Sequence, residues 1–358
     1  MPDMEMIESR LVFFETSKAP IAAVQESIVM GKDFGFVFDI DGVILRGDTP
    51  IPGAAEAVKK VQDLGVPYVF MTNNGMESEA QRADRLAGSL GLDISKDNMI
   101  LCHSALKEEA PAFGNGLVLV TGHTKVDIKE LMKDLGFKNP RTIAEYGACH
   151  PGLVPNKTDP VPEDRKWADE PVKAVILLET PVDWQQDLQV ICDILRSNGN
   201  VNQIADDGIQ HVKFIACNFD FTFVNHHPLP RFGPGAFIDL LGLLFSKSTG
   251  GRSLEIIKHG KPHRPTYNSA LRKLLSQQTS ENQGRTKEGG AGRVYALGDN
   301  PKSDVRGANM MGKGWVSVLV RTGCFQGEGN DPDDPADYVV EDVSAAVNKV
   351  LEMEGVQV

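Results

Sequence analysis

Two acidic side chains follow short apolar runs at distant points of this chain, and their chemistry suits phosphoryl transfer. Asp39 follows the run 34–38, and Asp299 comes shortly after the run 293–297. A carboxylate that attacks an anionic phosphate needs a divalent cation to neutralise the charge between them. Mg²⁺ prefers oxygen ligands and takes one or two carboxylates. The pattern therefore predicts Asp39 as a nucleophile that shares Mg²⁺ with Asp299.

A second acid must protonate the leaving alkoxide and later activate the water that attacks the acyl-phosphate. Asp41 lies two residues after Asp39, in the segment Phe38-Asp39-Ile40-Asp41-Gly42-Val43. A turn after the strand can direct both carboxylates toward one cavity. We expect Asp41 to be the general acid and base.

The transferred phosphoryl oxygens need hydrogen-bond donors. Thr72 offers a hydroxyl after the second apolar run, the backbone around Asn73 offers N–H groups, and Lys261 offers an ammonium in a Gly-Lys-Pro turn. Asp304, together with Asn300, is expected to orient waters on the metal or the Lys261 side chain.

Each of these motifs has a simpler interpretation when it is taken alone. D-x-D-G is more often a turn or a calcium-like loop, T-N-N-G and G-K-P are usually turns, and Ser303 and Asp304 can cap a helix. Their occurrence in this order, three of them directly after an apolar run, favours a common site.

The elements that position these residues alternate between apolar runs and amphipathic runs, which predicts an α/β fold. Nearly all-apolar strands between such helices favour a doubly wound, mostly parallel sheet with both faces covered. The carboxyl ends of its strands would then bring the site together. We predict strands at 34–38, 67–71, 98–103, 117–121, 172–178, 213–217, 293–297 and 315–320, and helices at 52–64, 78–90, 125–135, 184–197, 235–247 and 266–275.

The ordered segments FDIDGV, FMTNNG, GKPH and GDNPKSDVRGAN resemble the four motifs of the haloacid dehalogenase (HAD) superfamily. The resemblance implies a HAD-like Rossmannoid core with Asp39 as the nucleophile and Asp41 as the acid/base. It places Mg²⁺ on the Asp39 carboxylate, the Asp41 backbone carbonyl and Asp299. Thr72, Asn73 and Lys261 match the family's phosphate-binding positions.

The long insertion resembles the class IIA (NagD-like) α/β cap of C2 type, and several segments look most like the cat eye syndrome critical region protein 5-like group. We expect a core of residues 1–104 and 226–358, with a cap at 105–225 that closes over the site. A homodimer through the cap is a further expectation. Where class IIA often has Asn-Pro-Asp, this chain has Asn218-Phe219-Asp220.

Length and composition predict two globular domains, since the chain has 358 residues, of which 41% are hydrophobic. A net charge of −12 without a Lys/Arg block argues against a nucleic-acid partner. Five scattered cysteines favour a reducing compartment. The polar, Gly-rich segment 276–292 is expected to be a disordered loop.

The acidic start MPDMEMIESR lacks the features of a signal or transit peptide, and no apolar stretch is long enough for membrane insertion. We therefore expect a soluble intracellular protein, cytoplasmic by its first residues, whereas the resemblance implies a mitochondrial one.

The favoured function is a Mg²⁺-dependent phosphatase for a small phosphorylated metabolite. Three alternatives remain open at this point. True dehalogenation has no use for Asp41, Asp299 or Lys261, whereas a phosphomutase would use the same residues. A protein of very low turnover that acts mainly as an interaction partner would keep the fold and the motifs.

Overall fold

The computed structural model describes residues 34–157, 160–205, 207–223, 229–281 and 292–356. These residues form two compact units. The split unit consists of residues 34–108 and 259–356, and the inserted unit consists of residues 109–258.

The elements of both units are numbered here in chain order. The strands are β1 Phe34–Phe38, β2 Leu45–Arg46, β3 Thr49–Pro50, β4 Tyr68–Thr72, β5 Met99–Leu101, β6 Leu117–Thr121, β7 Asn139–Thr142, β8 Val172–Leu177, β9 Lys213–Ala216, β10 Thr222–Phe223, β11 Arg231–Phe232, β12 Ile257–Lys258, β13 Arg293–Gly298, β14 Trp315–Val320 and β15 Tyr338–Val340. The helices are α1 Ala54–Asp63, α2 Glu79–Leu90, α3 Leu106–Glu109, α4 Ile128–Asp134, α5 Ile143–Cys149, α6 Trp184–Leu195, α7 Pro234–Ser248, α8 Arg264–Glu281, α9 Arg306–Met311 and α10 Val343–Met353.

The split unit contains a six-stranded sheet in the order β15-β14-β13-β1-β4-β5, and every neighbouring pair is parallel. Strand β1 is buried along its whole length because both faces of the sheet are covered. Phe36 and Phe38 face one hydrophobic cluster, and Val37 between them faces the other. The predicted doubly wound, parallel α/β architecture is confirmed.

Amphipathic helices cover the two faces. On one face, α1 and α10 each bury apolar residues at helical spacing, such as Ala54, Val58 and Val61 of α1. On the other face, α8 contributes Tyr267 and Leu274. These contacts fix the sheet whose strand ends carry the predicted motifs.

The inserted unit has a five-stranded parallel sheet in the order β12-β9-β8-β6-β7. Its main core lies between the sheet and helices α5, α6 and α7. Strand β7 contains Pro140, which has no N–H to donate, and accordingly it lies at the edge of the sheet.

The boundaries of the two compact units differ from the predicted domain boundaries. The first crossing lies between Glu108 and Glu109 rather than after residue 104, and the second lies between Lys258 and His259 rather than after residue 225. The second boundary shifts because α7 packs its apolar face into the core of the inserted unit, and because β12 pairs with β9 of that unit.

The predicted disordered segment 276–292 was wrong over its first six residues, where α8 continues to Glu281. Gln277, near the end of α8, hydrogen-bonds to the backbone of Tyr68, and these bonds stabilise the polar end of the helix. Residues 282–291 and the lead-in 1–33 lie outside the described residues. The strands β7 and β15 and the helices α5 and α10 were not predicted from the sequence. Within the described ranges, no helix combines the length and apolarity needed to cross a membrane.

Helix α7 should contribute strongly to the stability of the inserted unit. Ile238 on α7 is 6% exposed within its core, whereas Ile209 in the same unit is 57% exposed. We expect Ile238→Ala to lower the free energy of unfolding by about 2–4 kcal/mol, because it removes buried methyl groups and leaves a cavity.

The matched change Ile209→Ala should alter the free energy of unfolding by less than about 0.5 kcal/mol. Urea titration followed by tryptophan emission measures both, since Trp167 and Trp184 lie in this unit. Equal effects of the two changes would contradict the packing of α7 described here.

Candidate active site

The two central strands of the six-stranded sheet bring the nucleophile candidate beside the second acidic motif. From β1 the chain proceeds outward through β4 and β5 on one side, and β13 to β15 occupy the other side. Ligands of open α/β sheets bind at such a reversal, beyond the carboxyl ends of the strands. The N–H of Asp39 donates to the carbonyl of Leu297 at 2.8 Å, which places Asp39 next to the end of β13.

Three buried carboxylates meet at this reversal. Asp39, Asp299 and Asp304 each offer an oxygen, and these oxygens lie within 4.8 Å of one another. The Lys261 ammonium contacts the Asp39 carboxylate and lies 2.7 Å from Asp304 Oδ1. The structure thus joins residues that are separated by more than 200 positions in the sequence.

Burial dominates the electrostatics of this cluster. It raises the pKa of Asp39 well above its ordinary value, although the nearby Lys261 ammonium opposes the rise. Burial and the neighbouring Asp304 charge raise the pKa of Asp299 to about 6. Burial alone would lower the pKa of Lys261, but the Asp304 and Asp39 carboxylates raise it well above its usual range.

Asn73 holds the loop that carries Lys261. Its side-chain Oδ1 accepts from the Lys261 N–H at 2.7 Å, and its Nδ2 donates to the Lys261 carbonyl at 3.1 Å. The predicted site residue is therefore present at the site, with its amide group bound to the main chain of the lysine.

Two glycine-containing loops enclose Asp299. The Cys324 N–H donates to Asp299 Oδ2 at 2.6 Å, and the Thr322 hydroxyl donates to the Gly42 carbonyl at 2.6 Å. A Cβ on Gly323 would lie only 1.8 Å from Asp299 Oδ2, so the close approach requires glycine. No sequence motif marks this loop, so its place at the site was not predicted.

Asp304 was predicted to orient waters on the metal or the Lys261 side chain. The structure places its carboxylate beside Lys261 and also close to the Asp39 and Asp299 carboxylates. Its Oδ2 accepts from the Asn300 N–H at 3.1 Å, while Oδ1 faces Lys261. The Asn300 side chain itself accepts from the Lys302 N–H at 3.0 Å and begins the π-helix Pro301–Val305. Asn300 therefore shapes the turn that directs Asp304 into the cluster.

Asp41 lies at the rim of the cluster, with a side chain that is 51% exposed. The Thr72 hydroxyl donates to Asp41 Oδ2 at 3.2 Å. Arg82 Nη2 lies 3.6 Å from the same oxygen. Arg82 was not among the predicted site residues. Its charge on the apolar face of α2 could have indicated it, because buried arginines need a partner.

Comparison with known proteins identifies the family. A haloacid dehalogenase-like hydrolase model matches residues 36–138, and a HAD-hydrolase-like model matches residues 258–346. The chain is 30% identical over 349 residues to the mitochondrial hydrolase YKR070W of Saccharomyces cerevisiae, a match that covers 90% of this chain and 96% of that protein.

Two further proteins extend this comparison. The chain is 31% identical over 344 residues to the cardiolipin synthase (CMP-forming)/mitochondrial hydrolase fusion protein of Schizosaccharomyces pombe, which covers 94% of this chain but only 54% of the fusion protein. The p-nitrophenyl phosphatase from Archaeoglobus fulgidus shares the fold with a TM-score of 0.58 and 22% identity, over 88% of this chain and 98% of that one.

The chain therefore belongs to the haloacid dehalogenase-like hydrolases and is an enzyme of that family. The predicted NagD-like resemblance is confirmed at the level of the fold, since NagD from E. coli K-12 matches with a TM-score of 0.52 and 18% identity over 87% of this chain and 96% of that one. The narrower resemblance to the cat eye syndrome critical region protein 5-like group stays a prediction.

The close contact between Gly323 and Asp299 makes a sharp prediction. In Gly323→Ala the added methyl group would overlap Asp299 Oδ2, so the carboxylate must move. Asp299 is a predicted metal ligand, and disturbing the groups that orient such a ligand typically lowers activity by about 10–100-fold, so we expect a loss of about 10–100-fold in turnover of p-nitrophenyl phosphate.

Gly88→Ala provides the control, because Gly88 is an exposed residue of α2 and no described atom lies within 4 Å of the added methyl group. This change should leave activity intact and raise the free energy of unfolding by about 0.5–1 kcal/mol. Steady-state kinetics of both variants decide the matter, and full activity in Gly323→Ala would contradict the geometry.

Proposed function

We propose that the chain is a Mg²⁺-dependent phosphatase that hydrolyses a small phosphorylated metabolite through an aspartyl-phosphate on Asp39. The observation that carries this proposal is the buried Asp39 carboxylate in contact with the Lys261 ammonium, within 4.8 Å of oxygens of two further carboxylates. Its position beyond β1 matches the ligand site of a doubly wound sheet.

In the first step, an Asp39 oxygen attacks phosphorus while the bond from phosphorus to the leaving oxygen breaks. Asp41 gives its proton to that oxygen. In the second step Asp41 takes a proton from water, whose oxygen attacks phosphorus, and the bond to Asp39 breaks to release inorganic phosphate. Lys261 and the backbone N–H groups near Asn73 stabilise the charge on the phosphoryl oxygens.

The donor set fits a divalent cation. Three carboxylates lie together and the Lys261 ammonium contacts two of them, so these four groups, when ionised, carry two excess negative charges. Hard oxygen donors at this spacing suit Mg²⁺, and Asp39 and Asp299, with Asp304 or the Asp41 carbonyl, would hold it. A bound Mg²⁺ would neutralise charge between the nucleophile and the phosphate.

The substrate class is proposed from the family and from the names of the relatives. The Archaeoglobus relative is called a p-nitrophenyl phosphatase, so p-nitrophenyl phosphate is a reasonable first probe. Asn218-Phe219-Asp220, which departs from the class IIA pattern, follows β9 of the inserted unit. Both yeast relatives are named as mitochondrial hydrolases, which supports a mitochondrial location over the cytoplasmic one.

The test of this function is turnover of p-nitrophenyl phosphate with Mg²⁺. We expect Asp39→Asn to lower kcat by at least about 10³-fold, because the amide cannot form the covalent intermediate. The matched variant Asp63→Asn, at an exposed residue of α1, should keep full activity.

Chelation of the metal with EDTA should abolish turnover in the wild type, and added Mg²⁺ should restore it. Activity that survives in Asp39→Asn would disprove the covalent route. A phosphomutase would instead transfer phosphate between two positions of a sugar phosphate without releasing it, and an interaction protein would bind Mg²⁺ without turnover.

We also propose a homodimer through the inserted unit. Phe221, Phe223 and Phe232, in and beside the β10–β11 hairpin, are 54%, 44% and 63% exposed. Leu240 and Leu244 on the neighbouring α7 are exposed as well. The Phe221 and Phe232 rings contact each other, and exposed apolar patches are typical of protein–protein interfaces.

Phe232→Asp should therefore shift sedimentation from dimer to monomer, because it places a charge among these exposed apolar side chains. Met353→Asp, at another exposed apolar residue on α10, should not change the oligomeric state. A wild type that sediments as a monomer at micromolar concentration would rule out this association.

A further inference from the structure

A row of side chains with alternating charge leads away from Asp41, the candidate general acid. Asp41 faces Arg82, Arg82 faces Glu77, Glu77 faces Arg85, and Arg85 faces Asp48. Arg82 Nη2 lies 3.6 Å from Asp41 Oδ2, and Nη1 lies 3.7 Å from Glu77 Oε1. Arg85 contacts Glu77 directly and lies 3.1 Å from Asp48 Oδ1. The sequence motifs did not indicate this row of charged side chains.

Arg82 is unusual within this chain because it is almost completely buried. Its side chain is 1% exposed, and Nε and Nη2 make no hydrogen bond to any part of the chain that the structure describes. Burial lowers the pKa of Arg82 below its ordinary value, and the Asp41 charge opposes that shift. A buried guanidinium is costly unless charged partners compensate it, so its place beside Asp41 calls for a physical reason.

The contacts of Asp41 indicate that reason. The Thr72 hydroxyl and the Arg82 guanidinium both approach Oδ2. Among the described residues no hydrogen bond to Asp41 Oδ1 is present, and half of the side chain is exposed. One carboxylate oxygen is therefore held from two directions, which leaves the other oxygen for the proton that passes to the leaving group.

Arg82 is itself held in place from the opposite side. The Glu77 carboxylate is only 8% exposed and lies between Arg82 and Arg85. Arg85 in turn reaches Asp48, in the turn between β2 and β3 that follows the Asp41 segment. A planar guanidinium can face carboxylates on two sides at once, which a lysine ammonium on a flexible stem does less well.

We propose that Arg82 is the positioning residue of Asp41, fixing the carboxyl group so that one oxygen faces the leaving group of the phosphate ester. This inference rests on the proposed phosphatase function and adds a residue to it. Arg82 acts through Asp41 and does not touch the reacting atoms.

The consequence is a loss that depends on the leaving group. Benzyl phosphate releases a basic alkoxide that needs a proton from Asp41, whereas p-nitrophenyl phosphate releases a phenolate that leaves without one. Because kcat/KM reports only steps up to departure of the alcohol, it isolates the step in which Asp41 is the acid. A merely structural defect would lower kcat/KM for both esters equally.

The experiment compares kcat/KM for the two esters in wild type, Arg82→Met and Arg293→Met. We expect Arg82→Met to lose about 10–100-fold on benzyl phosphate and less than about threefold on p-nitrophenyl phosphate. Arg293→Met, which removes an exposed arginine paired with Glu354, should match the wild type on both.

A double variant provides the second measurement. If Arg82 acts through Asp41, adding Arg82→Met to Asp41→Asn should cause no further loss on benzyl phosphate. Should Arg82→Met fail to fold, Arg82→Lys keeps the charge and most of the volume, and should show a smaller loss with the same order of the two esters.

Equal losses on both esters, or losses that add in the double variant, would overturn the inference alone. A wild type without Asp39-dependent turnover would overturn the proposed function, and this inference with it.

Discussion

The site depends on the burial of three carboxylates beside one ammonium. Desolvation raises the pKa of Asp39 and Asp299, and the charge of Asp304 adds to both shifts. Such a cluster repels itself unless the surrounding chain holds it together or a cation neutralises it. The chain provides the first condition through the N–H groups of Cys324 and Asn300, each of which donates to a carboxylate oxygen. The residual negative charge then makes a cation favourable.

The sheet explains why these groups meet. Strand β1 lies in the middle, with β4 on one side and β13 on the other, so three motif-bearing strand ends are adjacent. The alternation of side chains along β1 anchors the strand in two hydrophobic clusters, and this leaves little freedom for the residue that follows it. The position of Asp39 is therefore a consequence of core packing as much as of its own contacts.

The sequence allowed the strand ends to be predicted because continuous apolar runs such as 34–38 have a direct physical signature. It also indicated that Asp39, Thr72, Lys261 and Asp299 converge, since parallel strand ends share one edge. The domain boundaries could not be predicted in this way. Helix α7 looks the same in either domain until its packing partners are known. The contact between Arg82 and Asp41 likewise depends on the direction of the Asp41 side chain, which the hydrophobic pattern of the sequence does not indicate.

The six-stranded sheet is formed by two segments that are far apart in the sequence, and this separation matters while the ribosome synthesises the chain. Strand β1 pairs with β13 from Phe34 opposite Arg293 onward, so one edge of β1 has no partner until some 260 later residues have been translated. Exposed strand edges favour association between chains. The inserted unit is contiguous and is translated completely during this interval. Nascent chains are thus most vulnerable to aggregation late in translation, and a chaperone that shields the edge of β1 would act in that window.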